Sequence, residues 1–291
     1  MFNDARRLWL LPLLALFACP AQAQRFDPAA VAGLRGGLVV QLGAVELDAV
    51  ADLSHVGRYL IHVLEPDAER VQAAQARLRT TGDYGMAWVE AWDEVDHLPY
   101  AENLVNLILI RDFTVPAEEL VRVLAPGGTL MVTDQALVEP ARLEDAGLVA
   151  LRETDGTLVA RKPWSEKMDV WSHPRHAADG NAVSGDTLVG PPERIRWIAA
   201  ATSEVEGLVT AGGRNFYGGI LARDSFNGLR LWHRDLGKAG EVDSQLANLP
   251  RLSRDGARPI ASESLLFAVM NDRPAPNPAK LLDQWMEWER G

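Results

Sequence analysis

The chain has 291 residues, enough for one large or two modest domains, and its 47% apolar residues can furnish a core. The formal net charge of −11, with no basic stripe, argues against a nucleic-acid partner. It does not choose among small-molecule, protein and sugar partners.

Residues 1–23 read as a signal peptide. Arg6 and Arg7 form a positive start, Leu8–Ala18 an apolar stretch, and Ala21–Ala23 (AQA) a small-residue cleavage site before Gln24. The apolar run is too short for a stable membrane-spanning anchor, so no transmembrane anchor is expected after cleavage. An uncleaved interfacial anchor is the alternative. The expected location is the periplasm or the exterior. LFAC (Leu16–Cys19) loosely resembles a lipoprotein box, a less favoured route because Phe17 is bulky. Cys19 is the single cysteine in the chain. Cleavage after Ala23 removes it, and with it any disulfide, thiolate metal site or cysteine nucleophile.

Residues 29–162 alternate short apolar runs with helix-like stretches, which predicts an α/β domain on a parallel sheet. LVVQL (Leu38–Leu42) predicts a buried strand that runs into Gly43. Val45 and Leu47 follow where a nucleotide-binding turn would repeat its glycines. YLIHVLE (Tyr59–Glu65) predicts a second strand. PDAERVQAAQARLRTTG (Pro66–Gly82) predicts a helix, with Pro66 in its first turn, Val71, Ala74 and Leu78 on one face, and Gly82 at its stop. LVNLILI (Leu104–Ile110) is a further buried strand, and PAEELVRVL (Pro116–Leu124) a short helix that APGG (Ala125–Gly128) ends. TLMVTD (Thr129–Asp134) follows as a strand. LVALRETDGTLVARK (Leu148–Lys162) predicts a β-hairpin about Asp155 and Gly156.

ELVRVLAPGGTLMV (Glu119–Val132) resembles the helix–turn–strand segment of class I S-adenosylmethionine-dependent methyltransferases. DEVDHLPYAENLVNLILI (Asp93–Ile110) resembles the same family's acid-bearing loop, Leu-Pro-aromatic step and buried strand. The hairpin at 148–162 fits the antiparallel edge of that family's sheet. Together these segments cover most of residues 36–162. The resemblance implies a Rossmann-like methyltransferase sandwich with S-adenosylmethionine as cofactor. By that resemblance Gly43 lies against the cofactor's methionine part, and Glu65 holds the two ribose hydroxyls, since a carboxylate accepts from both. Asp67 is a nearby substitute, and Asp93 stands near the acid that contacts the adenine amine. Asn106 stands where the family often has an aspartate. No nucleophile or general base is assigned, because methyl transfer often needs only positioning of an acceptor.

The residues also support another reading. Glu65 and Asp67 before a helix are acids that complement its dipole. Val45 brings a branched β-carbon where close approach is needed and would partly fill the pocket. A retained fold with a degenerate loop and reduced or no activity is then expected. Export favours this reading, because the cofactor is made and used in the cytoplasm.

Residues 163–197 form a polar connector containing tryptophan and histidine. Its WSHPRHAADGNAV (Trp171–Val183) carries His173, His176 and Asp179, which suggest either a metal site or a capped segment that docks two domains. The second is preferred because Pro174 interrupts a helix there. Residues 198–270 turn to glycines and alternating strands, read as antiparallel β. ARDSFNGLRLW (Ala222–Trp232) resembles the tryptophan-docking repeat of quinoprotein β-propellers. The resemblance implies that Asp224 and Gly228 make the turn between two blade strands, and that Trp232 packs on a neighbouring blade with Ala222 leaving room. One blade is not a propeller. No funnel residues or metal ligands for pyrroloquinoline quinone can be named, so quinone binding is not expected. NPAKLLDQWMEWERG (Asn277–Gly291) can be drawn as an amphipathic helix.

The expected fold is α/β: a Rossmann-like methyltransferase sandwich at 29–162, the connector at 163–197, and at 198–291 a small antiparallel β region of about one propeller blade. Three functions compete: a methyltransferase with Gly43, Glu65, Asp67 and Asp93 at its cofactor; a non-catalytic periplasmic binding or scaffold protein; and a fragment of a quinoprotein-like oxidoreductase. The open β region at 207–270 predicts self-association or a protein partner.

Overall fold

The structure, a computed structural model, describes residues 27–94, 96–154, 156–191, 195–199, 208–217, 221–233 and 259–267. The stretch read as a signal peptide (residues 1–23) and the C-terminal stretch drawn as a helix lie outside these residues.

The first region runs α1 (Pro28–Ala32), β1 (Gly37–Leu42), α2 (Asp48–Ser54), β2 (Tyr59–Glu65), α3 (Ala68–Thr81), β3 (Ala87–Ala91), β4 (Val105–Ile110), α4 (Ala117–Val123), β5 (Leu124–Val132), α5 (Pro140–Asp145), β6 (Val149–Thr154) and β7 (Thr157–Arg161). One seven-stranded sheet has the order β3-β2-β1-β4-β5-β7-β6. β1 to β5 are parallel, and β7 runs antiparallel between β5 and β6. This is a Rossmann-like α/β sandwich, mostly parallel with an antiparallel hairpin at one edge, as the sequence predicts.

β1 and β4 are buried along their whole length, because helices or loops cover both sheet faces. Alternate residues feed two cores. Val39, Ile61, Val63 and Leu109 meet Val50, Leu53, Val71 and Leu78 on one face. Val40, Leu64, Ile108 and Ile110 meet Leu120, Val123 and Leu143 on the other.

Two boundaries differ from expectation. α3 starts after Pro66: Asp67 is its N-cap, accepting from the Glu69 and Arg70 amides, and Pro66 precedes the helix. The APGG stretch does not separate α4 from a strand. It lies inside β5 as a register shift, with Leu124 opposite Val105 and Thr129 opposite Leu107. Gly127 turns there at φ +76°, and a β-carbon on it would come within 2.7 Å of the Trp164 indole. The glycine thus makes the bend and also leaves room for a connector side chain.

The second region holds a four-stranded antiparallel sheet of β8 (Val209–Ala211), β9 (Arg214–Tyr217), β10 (Leu221–Asp224) and β11 (Arg230–His233), with a two-stranded piece, β12 (Ile260–Ala261) and β13 (Leu266–Phe267). Asp224 and Gly228 do make the β10–β11 turn. The Asp224 carboxylate accepts from the Phe226 and Asn227 amides, and the Gly228 amide donates to the Asp224 carbonyl. Ala222 is buried between Phe216 and Trp232 on the flanking strands. Among the described residues, Trp232 lies 5.9 Å from the Phe216 ring of the same sheet, where the repeat pattern implies a neighbouring blade.

The two sheets meet at the amino ends of β1 and β4. The Asn106 carboxamide accepts from the Leu38 amide at 2.8 Å and from Asn227 Nδ2 at 2.7 Å, and donates to Asp224 Oδ2 at 2.8 Å. Asn227 also donates to the Leu104 carbonyl. Gly37 is required beneath this network, since a β-carbon there would lie 2.2 Å from Asn106 Oδ1. Connector tryptophans brace both sides. Trp164 reaches Gly127 in the first sheet and Gly213 and Phe226 in the second, while Trp197 lies on Gly228.

Candidate functional site

In open α/β sheets a ligand sits at the carboxyl ends of the strands, where the strand order reverses. Here that point lies between β1 and β4. Gly43, Glu65 and Asp93 all stand at this edge, at the ends of β1, β2 and β3. The chain fills much of it with its own groups.

Glu65 is 1% exposed. One carboxylate oxygen accepts from the Ala44 amide at 2.7 Å and lies 2.9 Å from the Arg70 guanidinium; the other accepts from the Asp67 amide at 3.0 Å. Arg70 also donates to Asp112 at 2.6 Å, tying the first turn of α3 to the turn after β4. The Asp112 bond, with Glu65 adding its charge, raises the Arg70 pKa above its ordinary value. Arg111 pairs with Glu46 at 2.9 Å and so ties the turn after β1 to the turn after β4.

Gly43 has φ +102°, and a β-carbon on it would lie 2.5 Å from Asp112 Cβ. The glycine is needed for a close approach by the chain's own aspartate. Beneath the turn, the fully buried Gln41 donates from one nitrogen to the carbonyls of Gly43 and Val45, each at 2.8 Å.

Asp67 is spent as the α3 cap. Asp93 is exposed just beyond β3, next to Trp92, whose amide donates to the Glu65 carbonyl. Asn106 lies at the opposite end of the sheet, in the junction described above. Val45 and Leu47, which follow Gly43, part ways in the structure. Leu47 faces away from the site and packs in the core with Val50 and Leu53, because it starts α2. Val45 is 38% exposed. Bonds from Gln41 to the Gly43 and Val45 carbonyls and from the Ala44 amide to Glu65 hold the turn.

An open cleft of about 760 Å³ lies further along the same edge, between the starts of α4 and α5. Thr114, Val115, Pro116, Leu137, Val138 and Arg142 line it, and it does not reach Gly43, Glu65 or Asp93. In the connector, His173 and His176 exchange backbone bonds across a narrow bridge, and the His176 ring meets Asp169 at 2.8 Å. Asp169 also accepts from Gly185, Val170 and Ser184, which with His176 draws its pKa down to about 2. Asp179 caps the Asn181 amide. These contacts suit a pinned docking segment, and no cluster of three acids, histidines or cysteines suited to a metal occurs among the described residues.

Sequence reasoning missed Gln41, Arg70 and Asp112. Gln41 had a signal: a lone amide in a buried apolar strand must find partners. Arg70 and Asp112 had none, since only the fold brings them together.

No protein-family model and no curated protein matches the sequence. Among solved structures, the chain is similar to a candidate S-adenosyl-L-methionine-dependent methyltransferase from Methanococcus maripaludis, at 13% identity and TM-score 0.41 over 48% of this chain and 84% of that one. It is similar to a SAM-dependent methyltransferase from Aquifex aeolicus, at 22% identity and TM-score 0.36 over 49% and 93%. It is also similar to a candidate sarcosine dimethylglycine methyltransferase from Galdieria sulphuraria, at 18% identity and TM-score 0.36, spanning 42% of this chain and 59% of that one. The fold assignment rests on the strand order and does not depend on these likenesses.

Proposed function

We propose that the chain is an exported protein of methyltransferase-like fold whose cofactor end is taken up by internal bonding, and that it works as a non-catalytic binding or scaffold protein. The observation that carries this reading is Glu65. The carboxylate that would accept two ribose hydroxyls already accepts two of the chain's own amides and faces Arg70. The carboxylate is 1% exposed behind the Ala44 amide and Arg70, so a ligand would have to shift part of this cover to reach it. The residues around Gly43 fit S-adenosylmethionine poorly, because Asp112 takes the space that the missing β-carbon leaves.

A second reading, a methyltransferase of reduced activity, is supported by Glu65 and Asp93 standing at the ends of adjacent strands. Calorimetric titration with S-adenosylmethionine and S-adenosylhomocysteine separates the two. No heat of binding at millimolar ligand is expected. Micromolar binding that Glu65→Ala weakens would overturn the scaffold reading and favour the enzyme.

A further inference from the structure

The peptide unit joining Gly43 to Ala44 is gripped at both ends. Its carbonyl accepts from Gln41 Nε2 at 2.8 Å, and its amide donates to Glu65 Oε2 at 2.7 Å. In a trans peptide these two groups point in opposite directions, so fixing one aims the other. The same Gln41 nitrogen also holds the Val45 carbonyl at 2.8 Å, two residues further on.

The orientation of the Gln41 amide follows from its surroundings. An oxygen at that atom would face two carbonyl oxygens, all of them acceptors. With the nitrogen placed there, the amide oxygen has no hydrogen-bond partner among the described residues, although Gln41 is fully buried. Leaving a buried acceptor unpaired is costly. Both bonds from the nitrogen go to the turn and none to the sheet, so what they hold is the turn.

We infer that Gln41 is the positioning residue that keeps the 43–47 turn closed by aiming the Ala44 amide into Glu65, an internal latch on the sheet's ligand edge. This rests on the scaffold reading above for its meaning but not for its test. A carboxylate at position 41 would set an acceptor against two acceptors and turn the peptide over. A thioether of similar length would remove both bonds without repulsion.

Site-resolved amide hydrogen exchange on the full chain tests this without a ligand. In Gln41→Met, exchange at Ala44 is expected to rise by roughly 30-fold, the effect of two lost hydrogen bonds, with amides in β4 unchanged. Gln41→Glu is expected to raise it at least as much. Wild-type exchange rates at Ala44 in Gln41→Met would refute the latch. So would loss of the folded state in Gln41→Met, because a turn latch should leave the sheet standing. If wild type binds S-adenosylhomocysteine while the Ala44 exchange behaves as expected, the scaffold reading fails and the latch survives.

Discussion

At His62 the sheet carries an imidazole that is held neutral. It lies on β2 with Trp88 stacked on it at 4.3 Å, the Tyr100 hydroxyl at 2.7 Å from one ring nitrogen and Glu90 at 3.0 Å from the other. Burial pushes its pKa down to about 4 even though Glu90 pulls it up. The unfolded chain therefore binds a proton that the folded chain refuses, and stability falls as pH drops from about 6.5 toward 4. The loss from this group is about 2–3 kcal/mol, and urea midpoints at pH 7 and pH 4.5 should show it. His62→Gln should flatten that part of the profile.

Asp83 behaves in the opposite way. Burial alone would raise its carboxyl, but the Thr81 and Ser54 hydroxyls and His55 outweigh burial and hold it below the usual range. Its contribution is present above the ordinary carboxylate pKa and is lost as pH falls through the lowered value. Asp83→Ala should cost about 1–3 kcal/mol in denaturant unfolding at neutral pH, since the buried Ser54 hydroxyl and the exposed Thr81 hydroxyl both lose an acceptor.

Among the elements, periodicity and apolar runs made β1, β2, β4, α3 and the β6–β7 hairpin legible. β2 runs from Tyr59 to Glu65, as its apolar run predicts. Gly82 ends α3 in the left-handed conformation, as its place in the sequence suggests. α2 and β3 were not anticipated. DAVADLS is a short helix with no side-chain cap bond that depends on contacts with β2 and β3, and AWVEA is a brief edge strand that depends on β2 and α3. The candidate site was only half legible. Glu65 could be picked out at its strand end, but its partners come from positions 44, 67 and 70, and the Asp112 that bridges Arg70 comes from the turn after β4. Whether an acid awaits a ligand or is already satisfied depends on those partners.

The connector makes its own prediction. A β-carbon on Gly228 would lie 2.4 Å from the Trp197 ring, at φ +73°. Gly228→Ala should therefore cost about 2 kcal/mol or more by thermal unfolding. In a Trp197→Ala background the cost should shrink toward the left-handed strain alone, about 1 kcal/mol. An unchanged cost would mean that Trp197 does not press on this turn.

Across the whole molecule, large apolar side chains remain exposed outside the first sheet. Val189 and Ile198 are 80% and 83% exposed, and Leu265 and Phe267 lie open on β13 or beside it. Surfaces of this kind, together with a small antiparallel sheet, favour association with another chain. Light scattering of the purified protein is expected to give a mass above one chain, or a partner should co-purify. A monodisperse monomer that captures nothing would count against association.

The Asn106 junction also bears on how the chain is made. Its partners Asp224 and Asn227 lie 118 and 121 residues downstream. During synthesis the first sheet's strands all emerge well before the turn that satisfies the Asn106 donor. Until then a buried carboxamide and the glycine-lined floor around it face solvent unsealed. The nascent first sheet thus passes through an interval in which it is paired but incomplete, when a protease or a foreign strand could reach its amino end.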